Sequence, residues 1–146
     1  MLAAFQRMGE SLLASLDRDE ILDAGIFRSL MVALVDGEQI EVVRSFFIDE
    51  NGNKRIIENR LGLRYELDGD NISADIVRKG ELEIIEGWDE RFDRRVSDLV
   101  KVANQVSYFL PIKKGNEVIA VLATGSERED KDKVLSRINA MQPLLN

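Results

Sequence analysis

The apolar positions of this chain change their spacing along its length, and the changes predict where helices and strands lie. The spacing predicts a first helix over 2–16 and a second helix that begins at about Arg18. The second helix is expected to bury positions that recur every four residues: Leu22, Ile26, Leu30 and Leu34. Gly37 is expected to end this helix, because glycine takes up the left-handed conformation of a helix C-terminus without strain.

After Gly37 the apolar positions alternate, which is typical of β-strands. The stretch QIEVVRSFFID predicts a strand whose inward positions share one face: Ile40, Val42, Phe46 and Ile48. DENGN is then a turn, and KRIIENR is the returning strand of a hairpin. The same turn alternates acidic and amide side chains like a calcium loop. Lys54 and Arg60, however, stand where that loop needs glycine and glutamate, so we expect no metal there.

The second half of the chain predicts a short helix, three strands and a final helix. Asp70 or Asn71 is expected to cap the helix ISADIVRK, and Gly80 is expected to stop it. ELEII predicts a short strand, and QVSYFLPIKKGNEVIAVLATG predicts two strands joined by a tight turn. From Asp130 the period is helical again, with one apolar face: Val134, Ile138, Met141 and Leu145. This order predicts an α+β domain in which helices flank an antiparallel sheet.

One charged stretch, EGWDERFDRRVSD at 86–98, contains the only tryptophan of the chain. Its apolar residues fall at helical spacing: Trp88, Phe92, Val96 and Leu99. Glu90 and Arg94 then form an i,i+4 pair, so an amphipathic helix with a solvated charged face explains the stretch. A second interpretation also stays open, in which the stretch closes over a ligand with aromatic walls and an arginine that binds an anion.

The composition removes several classes of protein chemistry. The chain contains neither cysteine nor histidine. It therefore has no thiol nucleophile, no imidazole base and none of the usual ligands of zinc, copper or haem. Catalysis would have to rest on carboxylates, amines, phenols or a hard cation, so we expect a protein that is not an enzyme. The absence of cysteine also suits a cytoplasmic protein.

Charge and length bear on the partners of the chain. A net charge of −7 and a pI near 4.7 argue against binding to nucleic acid or to an anionic membrane. No apolar run approaches the roughly 18 residues that a membrane-spanning helix needs. The 146 residues fit one domain, and we expect a single domain over 1–146.

Three stretches together resemble a GAF domain, a sensory module related to PAS domains. The first is LDRDEILDAGIFRSLMVALVDGE as a leading helix, and the second is GDNISADIVRKGELEIIEG as a helix, a glycine and a short strand. The third is VSYFLPIKKGNEVIAVLATGS as paired strands, in which Ser107 precedes the apolar step at Pro111 and VIAVL follows the turn. The resemblance covers the chain from about Leu16 to Leu145.

The resemblance implies a central antiparallel sheet of five to six strands, with the N- and C-terminal helices on one face. The crossover helices, including ISADIVRK and the stretch around Trp88, are expected to cover the other face and enclose a small-molecule pocket. The residues expected to line this pocket are five aromatic side chains and two arginines: Phe46, Tyr65, Trp88, Phe92 and Tyr108, with Arg91 or Arg95 supplying charge. Such domains act in signal transduction, often as homodimers through their terminal helices and as parts of larger signalling proteins.

Departures from the family pattern limit the ligand that this chain is expected to bind. Ala120 stands where the family commonly has glycine. The missing cysteine excludes a covalently attached bilin and the thiol chemistry of the methionine-sulfoxide reductases built on this fold. The missing histidine argues against the usual haem ligation. The motif of the cyclic-nucleotide-binding members is not visible, which argues against a cyclic nucleotide as the ligand.

Two functions stay open on this reasoning. The first is a non-catalytic sensor that binds a small molecule and signals through the packing of its terminal helices. The second is a dimerisation or protein-docking module of the same fold without a ligand. The first predicts an open pocket, and the second predicts a filled core.

Overall fold

The computed structural model describes residues 29–49, 51–95 and 102–141. These residues form seven strands: β1 Ser29–Asp36, β2 Gln39–Ile48, β3 Lys54–Ile56, β4 Arg64–Glu66, β5 Glu83–Glu86, β6 Gln105–Lys114 and β7 Glu117–Glu127. Two α-helices accompany them, α1 Ile72–Lys79 and α2 Lys131–Met141. Short 3-10 turns cover Glu58–Arg60 and Arg128–Asp130.

The strands form one antiparallel sheet in the order β3-β2-β1-β7-β6-β5. Strand β4 also pairs with β2, at the opposite end of that strand from β3. The predicted α+β fold around a central antiparallel sheet is confirmed. The described sheet has seven strands where five to six were expected, and the strands that the sequence did not predict are β1 and β4.

Apolar side chains cover both faces of the sheet, and each face packs against a different helix. On the first face, here called the α2 face, residues such as Val32, Tyr108 and Leu122 form a cluster with Val134 and Ile138 of α2. On the second, the α1 face, strand residues pack with Ile72 and Ile76 of α1 and with Phe92: Ala33, Ile40, Val42, Phe109 and Val121. The predicted placement of the final helix and of ISADIVRK on opposite faces therefore holds for the described residues.

Strand β1 replaces the end of the predicted second helix. Leu30 and Leu34, which were expected four residues apart on one side of a helix, lie in β1 and face α2. Gly37, at a φ of 62°, forms a two-residue hairpin turn in which Asp36 pairs with Gln39. The apolar residues of 29–36 fit the spacing of a helix as well as that of a strand. The segment forms a strand because it pairs with β2 on one side and with β7 on the other. The predicted helix over 2–16, and the second helix up to residue 28, lie outside the described residues.

A β-bulge at Val43 corrects the predicted face of strand β2. Val42 pairs with Ala33 and Arg44 pairs with Val32, so Val43 is the extra residue between them. One extra residue reverses the alternation, since side chains of a strand point to its two faces in turn. Ile40 and Val42 consequently lie on the α1 face, while Phe46 and Ile48 pack on the α2 face. The prediction that these four residues share one face was wrong.

The second half of the chain follows the sequence prediction closely. The hairpin of β6 and β7 turns at Gly115, which has a φ of 62°. Pro111 lies beyond Phe109, the last β6 residue that pairs with β5, so its missing N–H removes no bond to that strand. Val134 and Ile138 of α2 are buried as expected, and Leu145 lies outside the described residues. Among the residues that the model describes, neither helix combines the length and apolar character needed to cross a membrane.

Helix α1 begins and ends as its sequence predicts. The Asn71 side chain accepts a hydrogen bond from the Ala74 N–H at 2.8 Å, and its own backbone is extended, as an N-cap requires. Gly80 ends the helix in the left-handed conformation, and its N–H donates to the Ile76 carbonyl at 2.8 Å. These two caps fix the ends of the eight-residue helix that packs on the α1 face.

Replacing Asn71 by alanine is expected to lower the free energy of unfolding by about 1 kcal/mol, because the N-terminal turn of α1 loses its side-chain acceptor. Urea unfolding followed by circular dichroism measures the change. Asn71→Asp keeps an acceptor at the same position and is expected to retain most of the stability. Equal losses in the two variants would contradict this role of Asn71.

Candidate functional site

A cavity of about 620 Å³ lies on the α1 face of the sheet. Its floor comes from four strands, with Met31, Val42, Phe109 and Ala123 among the floor residues. Its walls come from the segment between β3 and α1 and from the first turn of α1, which contribute polar and apolar residues: Ile57, Asn59, Arg60, Leu63, Tyr65, Asn71, Ile72 and Ser73. The volume falls within the roughly 300–1,000 Å³ of small-molecule sites.

Residues 87–95, here called the roof segment, cover one side of this cavity. Arg91, Phe92 and Asp93 line the cavity directly. The Phe92 ring meets Trp88 edge to face, with centroids 5.4 Å apart, and meets Phe109 of β6 at 6.0 Å. Aromatic pairs at such distances each add about 0.5–1.5 kcal/mol beyond the area that they bury. The row Trp88–Phe92–Phe109 thus anchors the roof segment to the sheet.

The roof segment is built from turns, and the predicted helix is wrong over residues 88–95. Asp89 accepts a hydrogen bond from the Arg91 N–H at 2.8 Å, and Asp93 accepts one from the Arg95 N–H at 3.0 Å. Aspartate side chains that bond the backbone two residues ahead offer the chain an alternative to the helix. The expected pair of Glu90 and Arg94 is present at 3.0 Å. Val96 and Leu99 lie outside the described residues.

Arg91 fastens the roof segment to α1 and β5. Its Nε and Nη2 donate to the two oxygens of Asp89, at 2.8 and 2.9 Å. Its Nη1 and Nη2 donate to the two oxygens of Glu83 at 3.1 and 2.9 Å, and Nη1 donates to Asp75 at 2.9 Å. These bonds engage all five N–H donors of the guanidinium. They raise the pKa of Arg91 and, with it as the leading cause, lower the pKa values of Asp75 and Asp89.

A second polar link joins the roof segment to the cavity wall. The Tyr65 hydroxyl donates to Asp93 Oδ2 at 2.6 Å, and Arg95 binds both oxygens of the same carboxylate. The bonds from Arg95 are the main reason that the pKa of Asp93 lies well below its usual range. Burial, and then the bond to Asp93, raise the pKa of Tyr65. Tyr65 is therefore a neutral hydrogen-bond donor at physiological pH, and Asp93 is charged.

The structure divides the seven residues expected around a pocket into three groups. Tyr65, Arg91 and Phe92 line the cavity. Trp88 and Arg95 stand behind it, in contact with Phe92 and Asp93 respectively. Phe46 and Tyr108 lie on the α2 face, away from the cavity.

The two residues on the α2 face have partners of their own. The Tyr108 side chain is fully buried, and its hydroxyl shares a hydrogen bond with Ser126 Oγ at 2.9 Å. The Lys54 ammonium lies over the Phe46 ring, 4.3 Å from the ring centroid. The bulge at Val43 explains the placement of Phe46. Tyr108 lies on the α2 face because side chains alternate along a strand and its neighbour Phe109 lies on the α1 face.

The sequence prediction missed most residues of the cavity, Phe109 and Arg60 among them. Phe109 is a floor residue, and the alternation along β6 requires that either Tyr108 or Phe109, but not both, face α1. The continuous apolar run VSYFLPI does not say which. Arg60 lines the wall at the end of a 3-10 turn, where no periodic pattern marks an inward position. Burial lowers the pKa of Arg60, and the nearby Tyr65 and Asp93 oppose that shift.

Four acidic residues near the cavity are engaged by arginines: Asp75, Glu83, Asp89 and Asp93. Within the ranges that the model describes, no group of three or more acidic side chains is arranged to hold a metal ion. The carboxylates of Asp75, Glu83 and Asp89 converge on Arg91, so a guanidinium occupies the place that a cation would take.

Solved structures share this architecture. The nlh2 GAF domain of A. aeolicus in an inactive state aligns with a TM-score of 0.60 at 15% identity, over 82% of this chain and 70% of that one. The GAF domain of a two-component sensor histidine kinase from Bacillus halodurans aligns at 0.55 and 11%, over 94% and 92%. The chain has the GAF fold.

The GAF fold is also the framework of an enzyme among the similar structures. The type II free methionine-R-sulfoxide reductase of Thermoplasma acidophilum aligns with a TM-score of 0.53 at 12% identity, over 94% of this chain and 90% of that one. No family model matches the sequence. No curated protein matches it either. The likeness is therefore one of fold.

Replacing Arg91 by methionine is expected to lower the free energy of unfolding by roughly 1–3 kcal/mol, because three carboxylates then lose their shared donor. Urea unfolding measures the difference. Arg94→Met is the matched control, since Arg94 is 69% exposed and its partners among the described residues are Glu90 and the face of Trp88. The control is expected to cost less than about 0.5 kcal/mol. Equal effects of the two substitutions would show that Arg91 does not fasten the roof segment.

The free energy of unfolding is expected to decrease in acid. The pKa values of Asp75, Asp89 and Asp93 are lower in the folded protein than their usual 3.8. Their contribution is therefore present above pH 3.8 and is lost as the pH falls through their lower folded values. Urea midpoints between pH 7 and pH 2.5 check this. The midpoint should be level down to about pH 5 and then fall, and the fall should be smaller in Arg91→Met. A midpoint that stays constant to pH 2.5 would contradict the assignment.

Proposed function

We propose that this chain is a non-catalytic sensory domain that binds a small molecule in the cavity beneath the roof segment. The observation that carries the proposal is the cavity itself, about 620 Å³ between the α1 face and a turn-built roof. An apolar floor of Met31, Val42 and Phe109 suits the body of a ligand, and the polar wall residues Asn59, Arg60 and Ser73 suit its orientation.

The chemistry of the chain supports binding over catalysis. It has no cysteine or histidine with which to perform nucleophilic or acid–base steps at neutral pH. Asp93, the carboxylate of the roof that lines the cavity, is held in its charged form by Arg95 and Tyr65. A general base with so low a pKa is a weak one. The reductase of this fold is a reminder that the framework can carry catalysis, but the thiol chemistry of such enzymes has no counterpart in these 146 residues.

The cavity also reaches the points where the chain leaves the sheet. Ser29 begins β1, Ser126 and Glu127 end β7, and all three line the cavity. The Thr124 hydroxyl donates to the Ser29 carbonyl at 2.6 Å and joins the two strands there. Strand β7 then leads through a 3-10 turn into α2. A ligand at this end would touch residues adjacent to both terminal segments.

We infer a signalling mechanism from this adjacency. A bound ligand biases the protein toward one arrangement of its terminal helices only if it contacts the two arrangements differently. The ends of β1 and β7 are where such a difference would arise. A GAF domain of this fold belongs to a two-component sensor histidine kinase, which is the kind of protein that needs such coupling. A cytoplasmic homodimer through the terminal helices is part of the same proposal.

Filling the cavity is expected to abolish ligand binding while preserving the fold. Ala123 lies on the cavity floor, and Ala123→Leu adds three carbon atoms there. A thermal-shift screen of metabolites, nucleotides and amino acids on the unmodified chain identifies a stabilising ligand. Its shift should vanish in Ala123→Leu and persist in Ala103→Leu, a matched change at a residue that does not line the cavity.

The outcomes of this screen separate the two functions left open by the sequence. Stabilisation that survives in Ala123→Leu would place the ligand elsewhere. No stabilisation by any compound, together with a concentration-dependent dimer in sedimentation, would favour the ligand-free docking module.

A further inference from the structure

Three small residues lie side by side on the cavity floor, one from each of the strands β1, β7 and β6. Ser107 pairs with Gly125 across the β6–β7 ladder, on the α1 face. A Cβ atom placed on Gly125 would lie 3.6 Å from Ser29 Oγ, so Ser29 borders the glycine on its other side. All three residues line the cavity, and they are here called the floor row. At its centre no side chain stands between the cavity and the sheet backbone.

The backbone of β7 does not require a glycine at position 125. Strand β7 lies inside the sheet between β1 and β6, where a glycine weakens the strand because it has no side chain to pack. The φ of Gly125 lies outside the left-handed region, and an added Cβ would meet its nearest neighbour, the Val106 carbonyl oxygen, at an ordinary 3.4 Å. A strand glycine of this kind is typical of a place where a ligand approaches the backbone closely.

A buried serine in the cavity wall independently indicates a ligand. Ser73, in the first turn of α1, lines the cavity and is only 4% exposed. Its hydroxyl has no hydrogen-bond partner among the residues that the structure describes, and the same holds for the hydroxyls of Ser29 and Ser107. A polar group that loses water without gaining a partner costs free energy, and a polar group of a ligand supplies that partner.

The charges around the floor row favour an uncharged ligand group. Glu127 follows Gly125 by two positions in β7, lies on the same face and lines the cavity, so it would repel an anion on the row. Because Glu127 is exposed, it would add little to the binding of a cation. Of the cations in the cavity wall, Arg91 is bound by three carboxylates and Arg60 interacts with Asp93. A charged group on the row would thus lose its water without a close partner of opposite charge, which is costly.

Building on the proposed function, we propose that the floor row binds an uncharged hydrogen-bonding group of the ligand, such as an amide, directly over Gly125. The hydroxyls of Ser29 and Ser107 flank this group, and each hydroxyl can donate or accept a hydrogen bond. The apolar body of the ligand lies over Phe109, two positions from Ser107 on the same face, and a second neutral polar group reaches Ser73. The ligand class is therefore a neutral molecule with an apolar body and polar groups at its two ends.

Three compounds with the same hydroxyphenyl body test the preference for a neutral group: 4-hydroxyphenylacetamide, 4-hydroxyphenylacetate and tyramine. At pH 7 their end groups are neutral, negative and positive respectively. Titrations followed by NMR chemical-shift changes measure the three dissociation constants. The unmodified chain is expected to bind the amide about tenfold more tightly than either charged compound, because only the charged groups lose hydration that the floor row does not replace.

Alanine variants assign the binding of the amide to particular residues. Gly125→Ala puts a methyl group where the amide is expected to lie, and it should weaken binding about tenfold or more. Ser107→Ala and Ser73→Ala each remove one hydrogen bond, and each should weaken binding about threefold to tenfold. Ser45→Ala is the matched control and should keep the full affinity, since the Ser45 hydroxyl is buried without a partner and Ser45 does not line the cavity. Urea unfolding checks that each variant is folded, and if Gly125→Ala is not, the two serine variants decide the result.

Each outcome bears on a different statement. Equal or tighter binding of one of the charged compounds by the unmodified chain overturns the neutral ligand class and leaves the sensory function in place. Unchanged affinity for the amide in Gly125→Ala and Ser107→Ala, or an equal loss in Ser45→Ala, overturns the assignment to the floor row. Failure of all three compounds to bind overturns this inference, whereas the sensory function is overturned only if the wider ligand screen fails as well.

Discussion

The guanidinium of Arg91 holds a segment that has no regular structure of its own against the sheet. A helix over residues 88–95 would have satisfied only part of its backbone internally. Instead, the chain uses two short repeats, Asp89-Glu90-Arg91 and Asp93-Arg94-Arg95, in which the aspartate accepts from both the backbone and the side chain of the arginine two residues later. Each repeat also binds a part of the structure outside the roof segment. Arg91 binds α1 and β5, and Asp93 binds Tyr65. The position of the roof, and so the existence of the cavity, depends on these contacts.

Holding a roof by charge differs physically from holding it by packing. Bringing Arg91 and three carboxylates together removes water from them, and attraction offsets that loss without necessarily adding much net stability. Such a cluster does fix the orientation of the segment, because a planar guanidinium bonds to carboxylates in only a few geometries. The aromatic row Trp88–Phe92–Phe109 provides the non-directional part. Together they fix the roof at one height above the floor without filling the space beneath it.

The sequence predicted the elements whose ends are marked by local chemistry. Asn71 and Gly80 delimit α1, and the turn at Gly115 joins two strands whose apolar runs are too short for separate helices. The sequence prediction failed where pairing between distant strands decides whether a segment is a helix or a strand. The run SLMVALVD fits a helix and a strand equally well, and Asp36-Gly37 is as suitable for a hairpin turn as for the end of a helix. Only pairing with β2 and β7 selects the strand.

The candidate site was predictable in outline but not in detail, for the same reason. A lid containing Trp88 and Phe92 over one face of the sheet was implied by the family resemblance, and the structure places both residues on that face. The assignment of Phe46 required knowledge of the bulge at Val43, and a single extra residue leaves no mark in the sequence. Arg60 sits in an irregular turn, where no period relates sequence position to direction. Sequence patterns thus locate regular elements, while the roof of the cavity and part of its wall lie between those elements.

The two faces of the sheet are packed differently, and this difference connects the cavity on one face with the helix on the other. On the α2 face, Val134 and Ile138 pack directly on Tyr108 and Leu122. On the α1 face, helix α1 covers only part of the surface, and the rest lies under the roof segment. A space of this kind lowers stability, since its lining atoms lack partners, and a ligand that fills it restores those contacts. Because β7 lines the cavity and continues through a 3-10 turn into α2, the ligand proposed above would bind against the strand that leads to the helix on the other face.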